Sequence, residues 1–147
     1  LLAASTGLGA LCSRVSPSIR DHYHAYGRNL GLAYQAQDDL LGIWGEAETS
    51  GKSSTSDLAA GKKTLPVLHG LSMKGKFAER WEKGPPAQKE IPSLARLLKE
   101  EGSYTYTNNL AAEWTRKALH SLEQAQPRGT AGKALQALTR KLLGRSM

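Results

Sequence analysis

Apolar and polar positions along the chain recur at three- and four-residue steps, and the two-residue alternation of a half-buried strand is nearly absent. The pattern predicts an all-α protein. A first helix covers about residues 1 to 14, small and apolar enough for close packing inside a bundle. Ser16 followed by Pro17 supplies an N-cap and a proline at the first helical position, starting a second helix that runs to about Gly45. On it Ile19, Tyr23, Tyr26, Leu30, Ala33, Gln37 and Leu41 form one mostly apolar stripe. Gly27, Gly31, Tyr34, Gln35, Asp38 and Gly42 make a second face. Glycine costs about 1 kcal/mol of helix propensity relative to alanine, so Gly27 and Gly31 imply the close approach of a neighbouring helix or a ligand.

The periodicity then breaks. Residues 46 to 56 (EAETSGKSSTS) read as a solvated, mobile loop. Asp57 is placed to cap a short turn through Gly61, and Thr64 to cap the helix that Pro66 enters. Residues 75 to 90 predict a short helix and then a surface loop containing Gly84-Pro85-Pro86. Three further helices are expected at about 91 to 101, 104 to 125 and 131 to 144. Leu110, Trp114, Ala118, Leu122 and Ala125 mark the buried face of the second, and Ala131, Leu135, Leu138 and Leu142 that of the third.

Composition narrows the partners more than the fold. At 147 residues the chain is one domain by length. Its start, Leu1 directly in a helical pattern with no cap ahead of it, reads as a cut within a larger domain. A net charge of +7 predicts attraction to anions. The basic residues are spread from Arg14 to Arg145 without interleaved aromatic rings, which disfavours nucleic acid. The single cysteine, Cys12, excludes an intrachain disulfide, fits a reducing cytoplasm and, among apolar neighbours, reads as a small core residue. No apolar run reaches the length of about 18 residues that suggests a membrane span.

Candidate chemistry is concentrated in residues 31 to 66. Gln35 precedes the adjacent carboxylates Asp38 and Asp39 by one helical turn, so all three can face one cavity. Lys52, Lys62 and Lys63 follow. Carboxylates suit a hard divalent cation, and ammonium groups suit the remaining charge of a polyphosphate bound to it. A solvated acidic pair and solvated lysines are the alternative, although the apolar and glycine neighbours of Asp38 and Asp39 favour a compensated site. A nucleotide P-loop at GEAETSGKS is excluded, because Gly45 and Gly51 stand five residues apart rather than four and the segment follows a helix instead of a strand.

At residues 27 to 66 the sequence resembles the C-terminal half of the trans-isoprenyl diphosphate synthases, or polyprenyl synthetases. The resemblance is carried by Gly27 and Gly31, Tyr34-Gln35, Asp38-Asp39, Gly51-Lys52, Asp57-Leu58, Gly61-Lys62 and Thr64-Leu65-Pro66, in order and at matching spacings. It implies an isoprenoid-synthase fold, a helical bundle around a central cavity, of which residues 1–147 are the C-terminal part and the N-terminal part is absent. It implies a homodimeric prenyltransferase in which an allylic diphosphate ionises, the double bond of isopentenyl diphosphate attacks the carbocation, and a proton is lost. Asp38 and Asp39 would bind Mg²⁺ at the allylic diphosphate, Gln35 would support that site, and Lys52 and Lys62 would contact the diphosphate.

Two departures accompany the resemblance. The family's second motif is usually Asp-Asp-x-x-Asp, and here its last position is Gly42. The first aspartate-rich motif and the basic isopentenyl diphosphate site belong to the half that is absent, so the chain alone is expected to be inactive. Two other readings stay open. One is a terpene cyclase-like or non-catalytic regulatory subunit of the same fold, for which Gly42 speaks. The other is a basic helical module that binds nucleic acid or a partner, which rests on charge alone.

Overall fold

The computed structural model describes residues 1–45 and 56–143, and every regular element among them is helical. In chain order these are α1 (Leu2–Cys12), α2 (Pro17–Trp44), α3 (Ser56–Ala59), α4 (Leu65–Ser72) and α5 (Lys76–Trp81). A short 3₁₀ turn (Gln88–Glu90), α6 (Ile91–Glu100), α7 (Ser103–Gln124) and α8 (Gly129–Leu143) follow. The all-α expectation therefore holds, and the helix limits fall within a few residues of those read from sequence. No helix among the described residues is long and apolar enough to cross a membrane.

Packing divides the described residues into two units, Leu1–Gln35 with Ala111–Leu143, and Ala36–Leu110. In the first unit Tyr26, Leu30, Ala118 and Leu122 form the buried cluster, flanked by Leu2, Tyr23 and Leu135. Its close contact is made where glycine allows it. A Cβ on Gly27 would meet the Thr6 hydroxyl and lie 2.6 Å from the Leu2 carbonyl oxygen, so α1 crosses α2 at the position the sequence marked. Gly31 has ordinary room, with Leu2 Cδ1 at 3.6 Å.

Two expectations fail in this unit. Cys12 is exposed rather than buried. The reason is that α1 is apolar on all sides, so its pattern does not say which face turns inward, and only Ala10 is buried. On α8 the expected face holds for Leu135 and Leu142, which pack against that cluster, but the fully buried residues are Gly132 and Thr139, while Ala131 and Leu138 face outward. Polar chemistry sets that register. The Tyr26 hydroxyl lies 2.6 Å from Thr139 Oγ1, and Thr139 in turn donates to the Leu135 carbonyl at 2.8 Å. Thr139 uses its one proton on Leu135, so Tyr26 is the donor of the pair, and burial holds its phenol above its ordinary pKa.

The second unit is built on Ile43, Leu58, Val67, Phe77, Leu94 and Leu98. Helix α6 buries Ile91, Leu94, Ala95 and Leu98 at helical spacing. Ile91, Leu94 and Leu98 each contribute about 1.5–3 kcal/mol of burial, and Leu98→Ala would cost about 2–5 kcal/mol. Gly70 brings α4 close, since a Cβ there would lie 2.9 Å from Phe77 Cδ1. The end of α2 is pinned by Trp44, whose Nε1 donates to the Ala95 carbonyl at 3.2 Å and whose ring packs edge-on against Tyr104 at 5.2 Å. Helix α5 is capped from a distance, the Phe77 N–H donating to Glu101 Oε1 at 3.1 Å. The loop from Glu82 to Gln88 is tied by Arg80, which makes a two-pronged bond to Glu90 at 2.9 and 2.7 Å and donates to the Gly84 carbonyl at 3.1 Å.

Candidate functional site: a diacid, a lysine and a helix N-terminus

Asp38 and Asp39 sit on the last part of α2, within the second unit, on a backbone that the Trp44 contacts hold in place. Successive residues on a helix point roughly 100° apart, and the two carboxylates accordingly have different surroundings. Asp38 is exposed, whereas Asp39 is 7% exposed. Asp39 Oδ2 accepts the Leu65 N–H at 2.8 Å, which makes it the cap of α4. Thr64 occupies the N-cap position with extended backbone, but its side chain makes no cap bond. The sequence assigned that bond to Thr64, and a carboxylate from 26 residues earlier supplies it instead. The Thr64 hydroxyl is left buried without a hydrogen-bond partner among the described residues.

Lys62 enters this unit from a tight turn. The Gly61 N–H donates to the Leu58 carbonyl at 3.1 Å, the Lys62 N–H to the Asp57 carbonyl at 3.0 Å, and Gly61 takes a positive φ of 65°. The Lys62 ammonium is 2.5 Å from Asp57 Oδ1. Its pKa is raised above the ordinary lysine value, first by that hydrogen bond and then by the charge of Asp57, with smaller contributions from Asp38 and Asp39. Sequence gave Asp57 only the role of a turn cap. The signal for more was its place in the motif string, fifteen residues beyond the missing acid at Gly42.

The remaining expected residues fall elsewhere. Gln35 is exposed, belongs to the first unit and lines a cavity of about 620 Å³ together with Leu2, Gly27, Gly31, Tyr34 and Leu142. Lys63 is exposed. Lys52 and the expected loop at 46 to 56 lie outside the described residues, apart from the first residue of α3.

Among the described residues no three His, Cys, Asp or Glu side chains are grouped to hold a metal ion. Two adjacent carboxylates beside a lysine suit an ion such as Mg²⁺, which is characteristically held by one or two carboxylates and completed by phosphate oxygens and water.

Over 145 residues the chain is 33% identical to a prenyl transferase of Cyanophora paradoxa, an alignment covering 99% of the chain and 45% of that protein. Over 80 residues it is 49% identical to a (2E,6E)-farnesyl diphosphate synthase of Mycobacterium bovis, covering 54% of the chain and 22% of the enzyme. The crystal structure of a polyprenyl synthase from Caulobacter crescentus, complexed with calcium and isoprenyl diphosphate, superposes with a TM-score of 0.79 at 32% identity, over 99% of the chain and 46% of that structure. The fold is thus that of the isoprenoid synthases. The polyprenyl synthetase family model matches residues 1–98, and the chain belongs to that family. It spans less than half the length of the relatives compared.

Proposed function

We propose that this chain supplies the second metal and diphosphate half-site of a prenyltransferase that condenses an allylic diphosphate with isopentenyl diphosphate to a longer polyprenyl diphosphate. The observation that carries the reading is the grouping, in one unit, of the exposed Asp38 carboxylate, the buried Asp39 and the half-exposed Lys62 ammonium that feels both of them. Asp38 and Asp39 would hold Mg²⁺. Bound there, the ion supplies neutralisation of the negative charge that develops on the departing diphosphate. Asp39 also fixes the N-terminus of α4, so the geometry of the acid pair and that of the helix end are set together. Lys62 contributes a second, proton-bearing positive charge to the leaving group, and Lys52 and Gln35 are assigned to the same diphosphate. Assembly as a homodimer and a cytoplasmic location belong to the same proposal.

The test is binding of a non-hydrolysable allylic thiolodiphosphate by the 147-residue chain, with and without Mg²⁺, followed by titration calorimetry. Saturable binding that requires Mg²⁺ and is lost in Asp38→Ala is expected. Binding indifferent to both would refute the assignment. Incubation with an allylic diphosphate and labelled isopentenyl diphosphate is expected to give no elongated product, and turnover by the chain alone would overturn the half-site reading. A non-catalytic subunit of the same fold is the second reading, favoured by Gly42. It predicts that joining the chain to a half carrying the first acidic motif still yields no product.

A further inference from the structure

The glycine that replaces the third motif acid is not open space. A Cβ on Gly42 would lie 2.7 Å from Asp57 Cγ and would run into Asp57 Oδ2. The carboxylate of Asp57 therefore fills the volume that any side chain at position 42 would need. It is buried there at 7% exposure, a placement that is costly for a carboxylate unless a cation answers it. Lys62 answers it, Nζ to Oδ1 at 2.5 Å, and the pair is lopsided: the Asp57 side chain is 10% exposed and that of Lys62 56%.

That asymmetry gives the pair a direction. An ammonium carries three donors, and the buried oxygen takes one of them. The others remain on the exposed side of a lysine whose backbone is fixed by the Gly61 turn and whose N–H is tied to the Asp57 carbonyl at 3.0 Å. A lysine on a flexible four-carbon stem loses rotamer freedom when it binds an anion, and one held at its tip has already lost it. Asp57 in turn owes its seat to the absence of a side chain at 42.

We propose that Asp57, seated in the notch left by Gly42, is a positioning residue that holds Lys62 ready for the substrate diphosphate. The inference rests on the diphosphate assignment of Lys62 above. Gly42 is then more than a lost acid, because restoring a side chain there would dislodge the carboxylate that aims the lysine.

Two readouts on the full chain test this, one with ligand and one without. The first is Mg²⁺-dependent affinity for the allylic thiolodiphosphate in Lys62→Met, Asp57→Asn and the double variant. Each single change is expected to weaken binding by about tenfold, the worth of one charge-assisted contact, and the double variant to be no weaker than Lys62→Met. A purely structural Asp57 would instead lower affinity further in the Lys62→Met background, and that result overturns the proposal. The second is the rate at which Lys62 is acetylated by a brief pulse of acetic anhydride, read by peptide mass spectrometry. Release of the lysine in Asp57→Asn or Gly42→Ala is expected to speed acetylation severalfold while the other exposed lysines stay unchanged. If Lys62 reacts at the same rate in Gly42→Ala as in the parent, the seat does not exist. Failure of the parent chain to bind the diphosphate, with the acetylation result as expected, removes the functional assignment and the purpose of the pair but leaves the seat standing. Circular dichroism on each variant separates these outcomes from unfolding, and Asp57→Asn, nearly isosteric, serves if Gly42→Ala does not fold.

Discussion

The adjacent carboxylates Asp38 and Asp39 should come apart under mutation. Asp39 accepts the Leu65 N–H at 2.8 Å from a position 7% exposed, so Asp39→Ala removes a helix cap and leaves a half-buried donor without its acceptor. A lost cap costs about 1 kcal/mol and an orphaned donor about 1–3 kcal/mol. These describe overlapping losses, and roughly 2 kcal/mol is the combined expectation. At about 2.1 cal/mol/K of unfolding entropy per residue, a 147-residue chain shifts its melting midpoint by roughly 3 °C per kcal/mol. Asp39→Ala should therefore melt about 6 °C lower. Asp39→Asn keeps an oxygen acceptor and gives up the favourable charge at the N-terminus of α4, worth about 0.3–1 kcal/mol, so its midpoint should fall by no more than about 3 °C. Exposed Asp38 caps no helix among the described residues, and Asp38→Ala should stay within about 2 °C of the parent, as surface substitutions within about 0.5 kcal/mol do. Asp38→Ala should nevertheless lose Mg²⁺-dependent diphosphate binding while retaining the fold, so for Asp38 the loss is of function alone. Calorimetric melting of the three variants, paired with titration by the thiolodiphosphate, decides the matter. If Asp39→Ala melts with the parent, or Asp38→Ala falls as far as Asp39→Ala, the division of labour is wrong.

Four other outcomes follow from the same reasoning. Gly27→Ala forces a methyl into the α1 backbone and should cost about 1–3 kcal/mol, whereas Gly31→Ala, one helical turn on with ordinary room, should gain up to about 1 kcal/mol of helix propensity; equal midpoints for the two would refute the close crossing. Thr64→Val removes a buried hydroxyl that has no partner among the described residues and should raise stability by roughly 1 kcal/mol, and a lower midpoint would show that the hydroxyl is satisfied. Tyr26→Phe removes the donor to Thr139 and should cost about 1 kcal/mol in denaturant unfolding, with a neutral result arguing against the buried pair. Arg80 and the Ala87 N–H hold Glu90 down to about 2 from its ordinary 4.5, so the stability it contributes is complete above about pH 4.5 and fades as pH falls towards 2. Glu90→Gln should be less stable than the parent at pH 7 and converge with it near pH 2, and a constant gap across that range would contradict the pairing.

How much of this was legible beforehand depends on whether the determining contact is local. Helix limits follow from caps and periodicity, which are properties of neighbouring residues, and Ser16 does accept the Ile19 N–H, at 3.4 Å, as its place before Pro17 predicts. Gly27 was readable because a glycine inside a long helix has a cost that only close packing explains, although sequence could not separate it from Gly31. The errors all concern long-range choices. Cys12 and the face of α8 depend on what packs against an all-apolar or weakly patterned helix. The register of α2 slips as well: beyond Ala33 its buried apolar residues are Ala36, Leu40 and Ile43, not Leu41, and the buried polar one is Asp39, not Gln37. A straight helix drifts relative to any fixed three- and four-residue count, and the second unit captures the drifted face.

The candidate site shows the same division more sharply. Its residue types were readable, since Asp38, Asp39 and Lys62 stand in a motif whose order and spacing are specific. Its wiring was not, because Asp39 reaches Leu65 across 26 residues and Asp57 fills a space defined by a residue that has no side chain. Sequence comparison treats Gly42 as a missing carboxylate. In three dimensions the position is occupied by a carboxylate from α3, already neutralised by Lys62, so a designed return of the third acid would add a negative charge to a filled and balanced notch. Repulsion between carboxylates and the displacement of Asp57 would act together there, and Gly42→Asp is accordingly expected to weaken diphosphate binding rather than strengthen it.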